Sequence, residues 1–355
     1  MSTSRERVFD ALNHKQPDRV PLMYRDVPEV RARLKKDLQI QTDDELYSNF
    51  GIDFRWVGPR YTGPELQISE TEKKDHWGVQ WQFTKFSDNA GYWNEKSFPL
   101  VEMEDPDELS SLPSPQLDWW DFSQISKDCD NYKDFAIMTA PGFSSPGILQ
   151  YPIQSLIGVE RSLMDLYINP EFYQSLIEYI LKFQIPFIDK MMKSADGKID
   201  FFRLGDDFGT QQALLMGVDQ WKEFIQPALI KMSETAKKYG AKYYHHTCGA
   251  VRDLIPSMIE SGVDVLDPIQ VKATGMVPAE LKKEFGKKIC FSGGVDEQDL
   301  LPHGTEQEVK EAVWKLLDEM NIDGGFFLGP THNFQDDIPT KNIVAMYDAA
   351  LNWKG

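Results

Sequence analysis

The stretch that decides the fold is residues 241–267, AKYYHHTCGAVRDLIPSMIESGVDVLD. Its apolar and aromatic run at residues 241–247 predicts a strand, the segment at 250–261 predicts a helix, and residues 263–267 predict a second strand. A helix between two strands is the pattern of a βαβ unit, in which the two strands lie parallel in one sheet. This stretch therefore predicts a parallel sheet with helices packed against it.

The same alternation continues on both sides of this stretch. Further strands are predicted at residues 134–140, 198–204, 288–292 and 324–328, and further helices at 155–168, 171–194, 218–239, 278–285 and 306–320. One or two strands from the N-terminal part, where residues 20–24 and 51–57 are strand-like, bring the number to about eight. Strands that alternate with helices in this number favour a TIM barrel over an open doubly wound sheet.

The N-terminal part follows a different pattern. Short helices are predicted at residues 4–13, 28–38 and 43–50, and residues 60–120 carry several tryptophans without a regular period: Trp77, Trp81, Trp93, Trp119 and Trp120. We expect hairpins and loops there, with the aromatic side chains either covering a ligand cavity or forming a small satellite core. The predicted architecture is α/β, a single TIM (β/α)8 barrel domain over residues 1–355. It has an N-terminal helical and loop-rich extension at 1–130 and regular repeats at 131–355.

The composition argues against several classes of protein. A net charge of −18 opposes nonspecific binding to nucleic acid, because phosphate recognition needs a basic face. No run of about 18 apolar residues occurs, so no membrane span is expected. The charged N-terminus lacks the apolar core of a secretory signal. Three scattered cysteines, Cys129, Cys248 and Cys290, do not make a disulfide framework, which predicts a cytoplasmic protein.

The end of the strand at 241–247 carries the strongest chemical signal. His246 and Cys248 are two residues apart, so their side chains point to the same side of the chain. They lie where a barrel strand ends and its loop begins. Imidazole and thiolate form a ligand pair suited to Zn²⁺. The alternative is a half-buried histidine beside an inert cysteine. His332, just past the last predicted strand, is the candidate third ligand, and three ligands leave the fourth position open, as catalytic zinc requires. Alternatively, His332 could act as a general acid or lie in a surface loop without a catalytic role.

Two carboxylates at another strand end are candidate catalytic residues. Asp206 and Asp207 could protonate a leaving oxygen, ligate the metal or orient His246, and one of them could instead cap the following helix. Two other residues are predicted to stay outside the site. His245 alternates to the opposite side from His246, and Cys290 lies in an apolar strand as a core thiol.

Three arginines are candidates for binding a substrate carboxylate. Arg25, Arg55 and Arg203 lie near predicted strands, and a guanidinium pairs bidentately with a carboxylate. Surface ion pairs are the alternative role for each of them. Asn333 is a further candidate substrate contact.

Nearly the whole chain consists of blocks that resemble one superfamily. The opening RERVFDALNHKQPDRVPLMY, at residues 5–24, resembles that of the uroporphyrinogen decarboxylase superfamily. Blocks similar to those of its methyltransferase-like members follow in the same order, namely GDDFGTQ (205–211), HTCG (246–249), SGVDVLDPIQ (261–270), FSGGVDEQDLLPHGT (291–305) and HNFQDDIPTKNIVAMYDA (332–349). The resemblance implies a single TIM barrel, in agreement with the strand and helix pattern.

The superfamily that the chain resembles contains two chemistries. Its decarboxylases use no metal and hold a carboxylated tetrapyrrole with an arginine-rich segment after the first strand. The corresponding stretch here, MYRDVP, has the single arginine Arg25 beside Asp26. Its corrinoid-dependent methyltransferases have an H-x-C zinc pair, which His246 and Cys248 match, and a later cysteine near the last strand. This chain has no cysteine there, and His332 is the nearest candidate.

The resemblance therefore implies a zinc-dependent methyltransferase. It would move a methyl group between a small methylated or thiol substrate, with a methoxylated aromatic compound favoured, and the cobalt of a corrinoid (cobalamin). No D-x-H-x-x-G motif is present, so the corrinoid is expected on a separate carrier protein, and the resemblance also favours a homodimer. One alternative is a metal-free uroporphyrinogen-decarboxylase-like decarboxylase with Asp206 and His332 as proton donors. Another is a non-catalytic barrel that binds the carrier or a ligand.

Overall fold

The computed structural model describes residues 2–85, 91–142 and 146–355. Residues 86–90, part of the region predicted to form hairpins and loops, lie outside the described residues. The strands in chain order are β1 (Phe54–Val57), β2 (Arg60–Tyr61), β3 (Glu72–Lys74), β4 (Gln80–Lys85), β5 (Gly91–Ser97), β6 (Trp120–Asp121), β7 (Ala136–Thr139), β8 (Phe201–Gly205), β9 (Lys242–His246), β10 (Val265–Ile269), β11 (Cys290–Val295) and β12 (Phe326–Pro330).

The helices form the outer layer and the connections. They are α1 (Ser4–Leu12), α2 (Pro28–Asp37), α3 (Asp43–Asn49), α4 (Pro106–Leu109), α5 (Ile125–Asn131), α6 (Ser155–Ile157), α7 (Val159–Ile168), α8 (Pro170–Ser194), α9 (Val218–Gln220), α10 (Gln226–Lys237), α11 (Ile255–Glu260), α12 (Pro278–Phe285), α13 (Leu300–His303), α14 (Glu306–Met320) and α15 (Thr340–Asn352). Within the described residues, no helix is both long and apolar enough to cross a lipid bilayer.

Seven parallel strands form the barrel wall, in the order β1-β7-β8-β9-β10-β11-β12. The segment around Leu22 fills the gap between β12 and β1. Met23 N–H donates to the Leu328 carbonyl at 2.8 Å, and Asp53 N–H donates to the Leu22 carbonyl at 3.1 Å. The Leu22 N–H donates to the Asp53 carboxylate at 2.8 Å. The predicted α/β TIM-barrel fold is confirmed, with its first strand reduced to a short bridged segment beside Pro21, which has no N–H to donate.

The barrel interior is a cluster of buried apolar side chains. The strands contribute Met23, Phe54, Ala136, Met138, Phe201, Tyr244, Val265, Cys290 and Phe327, and α1 contributes Val8, Ala11 and Leu12. Helix α1 therefore closes the N-terminal end of the barrel, and the C-terminal ends of the strands form its mouth. Because side chains alternate along a strand, Arg203 follows Phe201 and His246 follows Tyr244 on the inner face, one layer nearer the mouth. Cys290 is a core thiol, as predicted.

The helices agree with the predicted pattern apart from interruptions. Gly158, with a φ of 84°, separates α6 from α7 inside the helix predicted at 155–168. The helix predicted at 250–261 begins as a 3₁₀ turn, because the chain first turns at Gly249 with a φ of 93°. Helix α15 was not predicted, and it packs its buried face on α14 and α2.

The described residues between 60 and 120 cover one side of the barrel, and both interpretations of their tryptophans apply. Trp77 and Trp120 are buried and pack against Phe183 of α8, with ring centroids 5.6 and 5.5 Å away. Trp81 and Trp93, on the hairpin of β4 and β5, instead line a cavity. The region is therefore a satellite core on one side and a cavity wall on the other.

Candidate active site

Three side chains predicted as metal ligands converge at the barrel mouth. His246 is the last residue of β9, Cys248 lies two residues later, and His332 follows β12. One ligand atom from each lies within 4.8 Å of the other two. Cys248 Sγ is 3.7 Å from His246 Nε2. The curvature of the barrel brings His332 to this pair across a sequence separation that no local pattern spans.

A buried carboxylate orients His246. Asp267 on β10 is 0% exposed, and its Oδ2 lies 2.8 Å from His246 Nδ1. Arg25 Nη1 lies 2.9 Å from the same nitrogen, but it already donates to Asp267, so we assign the ring proton to Nδ1, which donates to Asp267 and leaves Nε2 as a lone-pair donor. Arg25 donates to both oxygens of the same carboxylate, at 2.7 and 3.1 Å. Although burial acts to raise it, Arg25 and His246 hold the pKa of Asp267 below its usual range, so the carboxylate stays ionised.

The loop after β8 packs directly against the loop after β9. Cys248 N–H donates to Asp207 Oδ1 at 2.8 Å, and this oxygen lies 3.9 Å from His246 Nε2. A Cβ added at Gly249 would lie 2.3 Å from the carbonyl of Gly209, so the close contact of the two loops requires glycine there. Burial, and then the charge of Asp207, raises the pKa of the Cys248 thiol. Asp207 therefore lies beside the ligand cluster.

Glu297 is a candidate that the sequence patterns did not single out. Its Oε1 lies 3.7 Å from His332 Nδ1, and its buried Oε2 has no hydrogen-bond partner in the part of the chain that the structure describes. Burial raises the pKa of Glu297 to about 8. Burial lowers the pKa of His332 to about 4, and the positive charges of Arg25 and His246 add to this effect. The imidazole of His332 is therefore neutral at pH 7. The position of Glu297 two residues past β11 is the signal that could have found it.

The donor set at this mouth fits a zinc ion. Two imidazoles and one thiol make a three-ligand set of the kind that catalytic zinc uses with a fourth position open. The 3.7 Å between His246 Nε2 and Cys248 Sγ suits two ligands that share one ion, since zinc bonds to nitrogen and sulfur are about 2.0–2.3 Å long. The hydrogen bond from His246 Nδ1 to Asp267 is the outer contact that metal-binding histidines usually make.

Asp206 has a different environment from Asp207. Its two oxygens accept the N–H groups of Ile148 and Gln150, at 2.5 and 2.8 Å. Burial raises the pKa of Asp206 to about 7. The structure thus brings Asp207 to the ligand cluster and places Asp206 as the anchor of the loop at 147–150, away from the catalytic position predicted for it.

The three arginines predicted to bind substrate have unlike surroundings. Arg25 reaches the mouth but is already paired with the buried carboxylate of β10. Arg55 alternates with the interior residue Phe54, so it points outward and donates to Asp44 of α3 at 3.0 Å. The phase of β1 thus turns Arg55 into the helical layer and away from the mouth, where it was predicted to bind substrate. Arg203 points into the mouth.

A cavity of about 540 Å³ opens beside the ligand cluster. It is lined by Lys73, Asp75, Trp81, Trp93, Glu95, Gly142, Gly147, Gln150, Tyr151, Ser155 and Gly205. Gly205 joins the cavity to the cluster, since a Cβ added there would lie 3.6 Å from both Arg203 Nη1 and His246 Cβ. Asn333, half-buried next to His332, does not line this cavity.

Comparisons with known proteins agree with this fold. The sequence profile of the family described as "Uroporphyrinogen decarboxylase (URO-D)" matches residues 151–353, more than half of the chain. Among solved structures, the chain is similar to a methyltransferase from Methanosarcina mazei, with a TM-score of 0.66 and 15% sequence identity over 99% of this chain and 98% of that one. At this identity the likeness shows the fold alone. No curated protein sequence matches the chain.

Proposed function

Since this chain belongs to the uroporphyrinogen decarboxylase family, we propose that it is a zinc-dependent methyltransferase. It moves a methyl group between a small substrate and the cobalt of a corrinoid held by a separate protein. The observation that carries the proposal is the convergence of two imidazoles and a thiol within 4.8 Å at the barrel mouth. A protein of similar fold is named as a methyltransferase, so the fold is compatible with methyl transfer.

In this proposal the protein's own residues hold and orient the reacting groups. His246, Cys248 and His332 hold the zinc, and Asp267 keeps the proton of His246 on Nδ1. Zinc bound there acts as a Lewis acid on the heteroatom of the substrate. Asp207 Oδ1, 3.9 Å from His246 Nε2, accepts the N–H of Cys248 and so positions the thiol beside the imidazole.

We propose a methoxylated aromatic compound as the substrate. The cavity beside the cluster has Trp81 and Trp93 in its wall, and aromatic rings pack well on such surfaces. The C–O bond of the ether would break, the methyl group would pass to Co(I), which supplies the electron pair of the new bond, and the oxygen would keep the pair of the broken bond and take up a proton from water. The carrier protein docks over the C-terminal ends of the strands, because the cluster lies at that end of the barrel.

A metal-free decarboxylase is the second candidate, and the family profile favours it. Two observations weigh against it. Arg25, in the stretch where decarboxylases would bind substrate carboxylates, is neutralised by Asp267. His332, the proton donor in that reading, has its pKa lowered to about 4 by burial, so it carries no proton to donate near pH 7.

The test is the zinc content of purified protein, measured by elemental analysis on the parent and on three variants. We expect about one zinc per chain in the parent and a large loss in Cys248→Ala and His332→Ala. Cys290→Ala is the matched control, because this thiol lies in the barrel core and not in the mouth. A parent that takes up no zinc on reconstitution, or a Cys248→Ala variant that keeps it, would overturn the proposal.

A further inference from the structure

Arg203 is a cation in the barrel mouth that no carboxylate of the described residues pairs with directly. It follows the interior residue Phe201 on β8 and so faces inward. Its guanidinium makes no hydrogen bond or ion pair with any residue in the ranges 2–85, 91–142 and 146–355. Burial lowers the pKa of Arg203, which shows that the site costs free energy to a bare charge.

The nearby acid is already engaged by other groups. Arg25 binds Asp267 at both oxygens, at 2.7 and 3.1 Å, and His246 Nδ1 lies 2.8 Å from one of them. Asp267 therefore compensates Arg25 and orients His246. The positive charge of Arg203 remains for a ligand.

The guanidinium lies next to the cavity without lining it, and the two carboxylates that do line the cavity accept hydrogen bonds. Gly205 is the common wall, since a Cβ there would lie 3.6 Å from Arg203 Nη1. Asp75 accepts from Trp81 Nε1 and from the Tyr151 hydroxyl, each at 2.9 Å. Glu95 likewise accepts from a serine hydroxyl at 2.8 Å.

The opposite wall of the cavity is aromatic. Trp93 pairs with Phe83 across the hairpin, and Trp81 lies two residues from Phe83, so the three side chains share one face of the sheet. Lys73 Nζ lies 4.3 Å from the centre of the Trp93 ring. The cavity volume of about 540 Å³ is in the range that small organic ligands occupy.

From these contacts we propose that the substrate is an organic acid whose carboxylate binds Arg203. Its apolar or aromatic body lies against Trp81 and Trp93, and its methylated heteroatom reaches the cluster past Gly205. The reaction in this statement rests on the proposed function, whereas the binding of the carboxylate does not. A carboxylate is the complementary group because guanidinium donors fit its two oxygens.

The test compares two ligands of equal shape, meta-methoxybenzoate and the neutral meta-methoxybenzamide, by calorimetric titration of zinc-loaded protein. We expect the parent to prefer the carboxylate by on the order of tenfold or more, the range that a charged hydrogen bond supplies. Arg203→Gln should erase this preference. Lys73→Gln, which removes a cation from the cavity wall itself, should keep it.

A second variant tests the same site in case Arg203→Gln does not fold. Gly205→Ala places a methyl group at ordinary contact distance from Arg203 and should weaken binding of the benzoate while the arginine remains in place. Equal binding of both ligands by the parent would overturn the proposal. So would a preference that survives in Arg203→Gln, or one that Lys73→Gln removes.

Methyl transfer to chemically reduced cobalamin separates this proposal from the proposed function. If the benzoate binds through Arg203 but no methyl group is transferred from either ligand, the proposed function fails and the carboxylate site stands. If both ligands are demethylated equally well, the proposed function stands and the carboxylate site fails.

Discussion

Replacement of Asp267 by asparagine tests the network behind the candidate metal site. The Asp267 carboxylate is fully buried and accepts two hydrogen bonds from Arg25, at 2.7 and 3.1 Å, and one from His246 Nδ1 at 2.8 Å. Asparagine keeps the size and one acceptor oxygen, but it removes the negative charge and turns a donor towards Arg25 or His246. The guanidinium of Arg25, itself largely buried, is then left without a counter-charge.

The expected cost follows from these three contacts. Hydrogen bonds to charged groups contribute about 1.5–3 kcal/mol each, but they are not additive within one network. Removal of one partner of a buried ion pair costs about 3–5 kcal/mol, and the oxygen that Asn retains places the loss near the lower end, at about 3 kcal/mol. Loss of the outer contact to His246 should also weaken zinc binding about 10–100-fold.

Urea unfolding of the parent, Asp267→Asn, Arg25→Met and the double variant measures this cost. The double variant removes the charge that each single variant strands, so it should be more stable than the sum of the single losses by about 1 kcal/mol or more. The pKa of Asp267 is depressed in the folded protein, so its contribution is present above the unfolded value of about 4 and is lost as the pH falls below it. The difference between parent and variant should therefore shrink only in acid.

The reasoning is refuted if Asp267→Asn loses less than about 1 kcal/mol near pH 7 and binds zinc as tightly as the parent. Strict additivity in the double variant would also show that Arg25 and Asp267 do not depend on each other. An unchanged difference between about pH 7 and pH 3 would show that the ionised carboxylate is not the source of the effect.

Three further variants test other parts of the structure. Gly249→Ala should cost roughly 2–4 kcal/mol in thermal unfolding, because its Cβ would lie 2.3 Å from the backbone of Gly209, whereas Gly240→Ala, at a similar φ with nothing within 4 Å, should cost only about 1 kcal/mol. Equal losses would contradict the clash. Arg55→Met should lose about 1–3 kcal/mol of stability, because the carbonyls of Ile52 and Phe54 lose the hydrogen bonds that Arg55 donates. The zinc content and the benzoate affinity should not change. Weaker benzoate binding would show that Arg55 does contact the substrate. Burial raises the pKa of Asp206 to about 7, so the free energy of unfolding of the parent should fall by up to about 1.4 kcal/mol for each unit that the pH rises between about pH 4 and 7. Asp206→Asn should flatten this slope in urea unfolding. Parallel pH profiles of the parent and the variant would refute the prediction.

The alternation of strands and helices was predictable because it depends on local patterns. The helix Glu306–Met320 has an amphipathic period and a capping residue within its own sequence, and its predicted ends agree with α14. The pairing of His246 with Cys248 was also local, since two residues along an extended chain share a side. His332 could be expected nearby once a closed barrel was predicted, because all strand ends then surround one mouth.

The side of a strand to which an individual side chain points was less predictable. Both faces of a parallel barrel strand are apolar, so the sequence pattern does not say which face is inside. Arg55 and Arg203 were therefore equivalent candidates. The structure turns Arg55 outward to Asp44 and Arg203 inward to the barrel mouth, because Phe54 and Phe201 occupy the interior positions.

The sequence by itself determined the barrel class, the candidate pair His246 and Cys248, and the end of the barrel where these two residues lie. Only the tertiary structure decided that Arg25 is paired with Asp267, 242 residues away, and that Glu297 lies next to His332. These contacts depend on the register between neighbouring strands and on the closure of the barrel. Neither is specified by a periodic pattern within a single strand or helix, because such a pattern describes one element and not its distance from another.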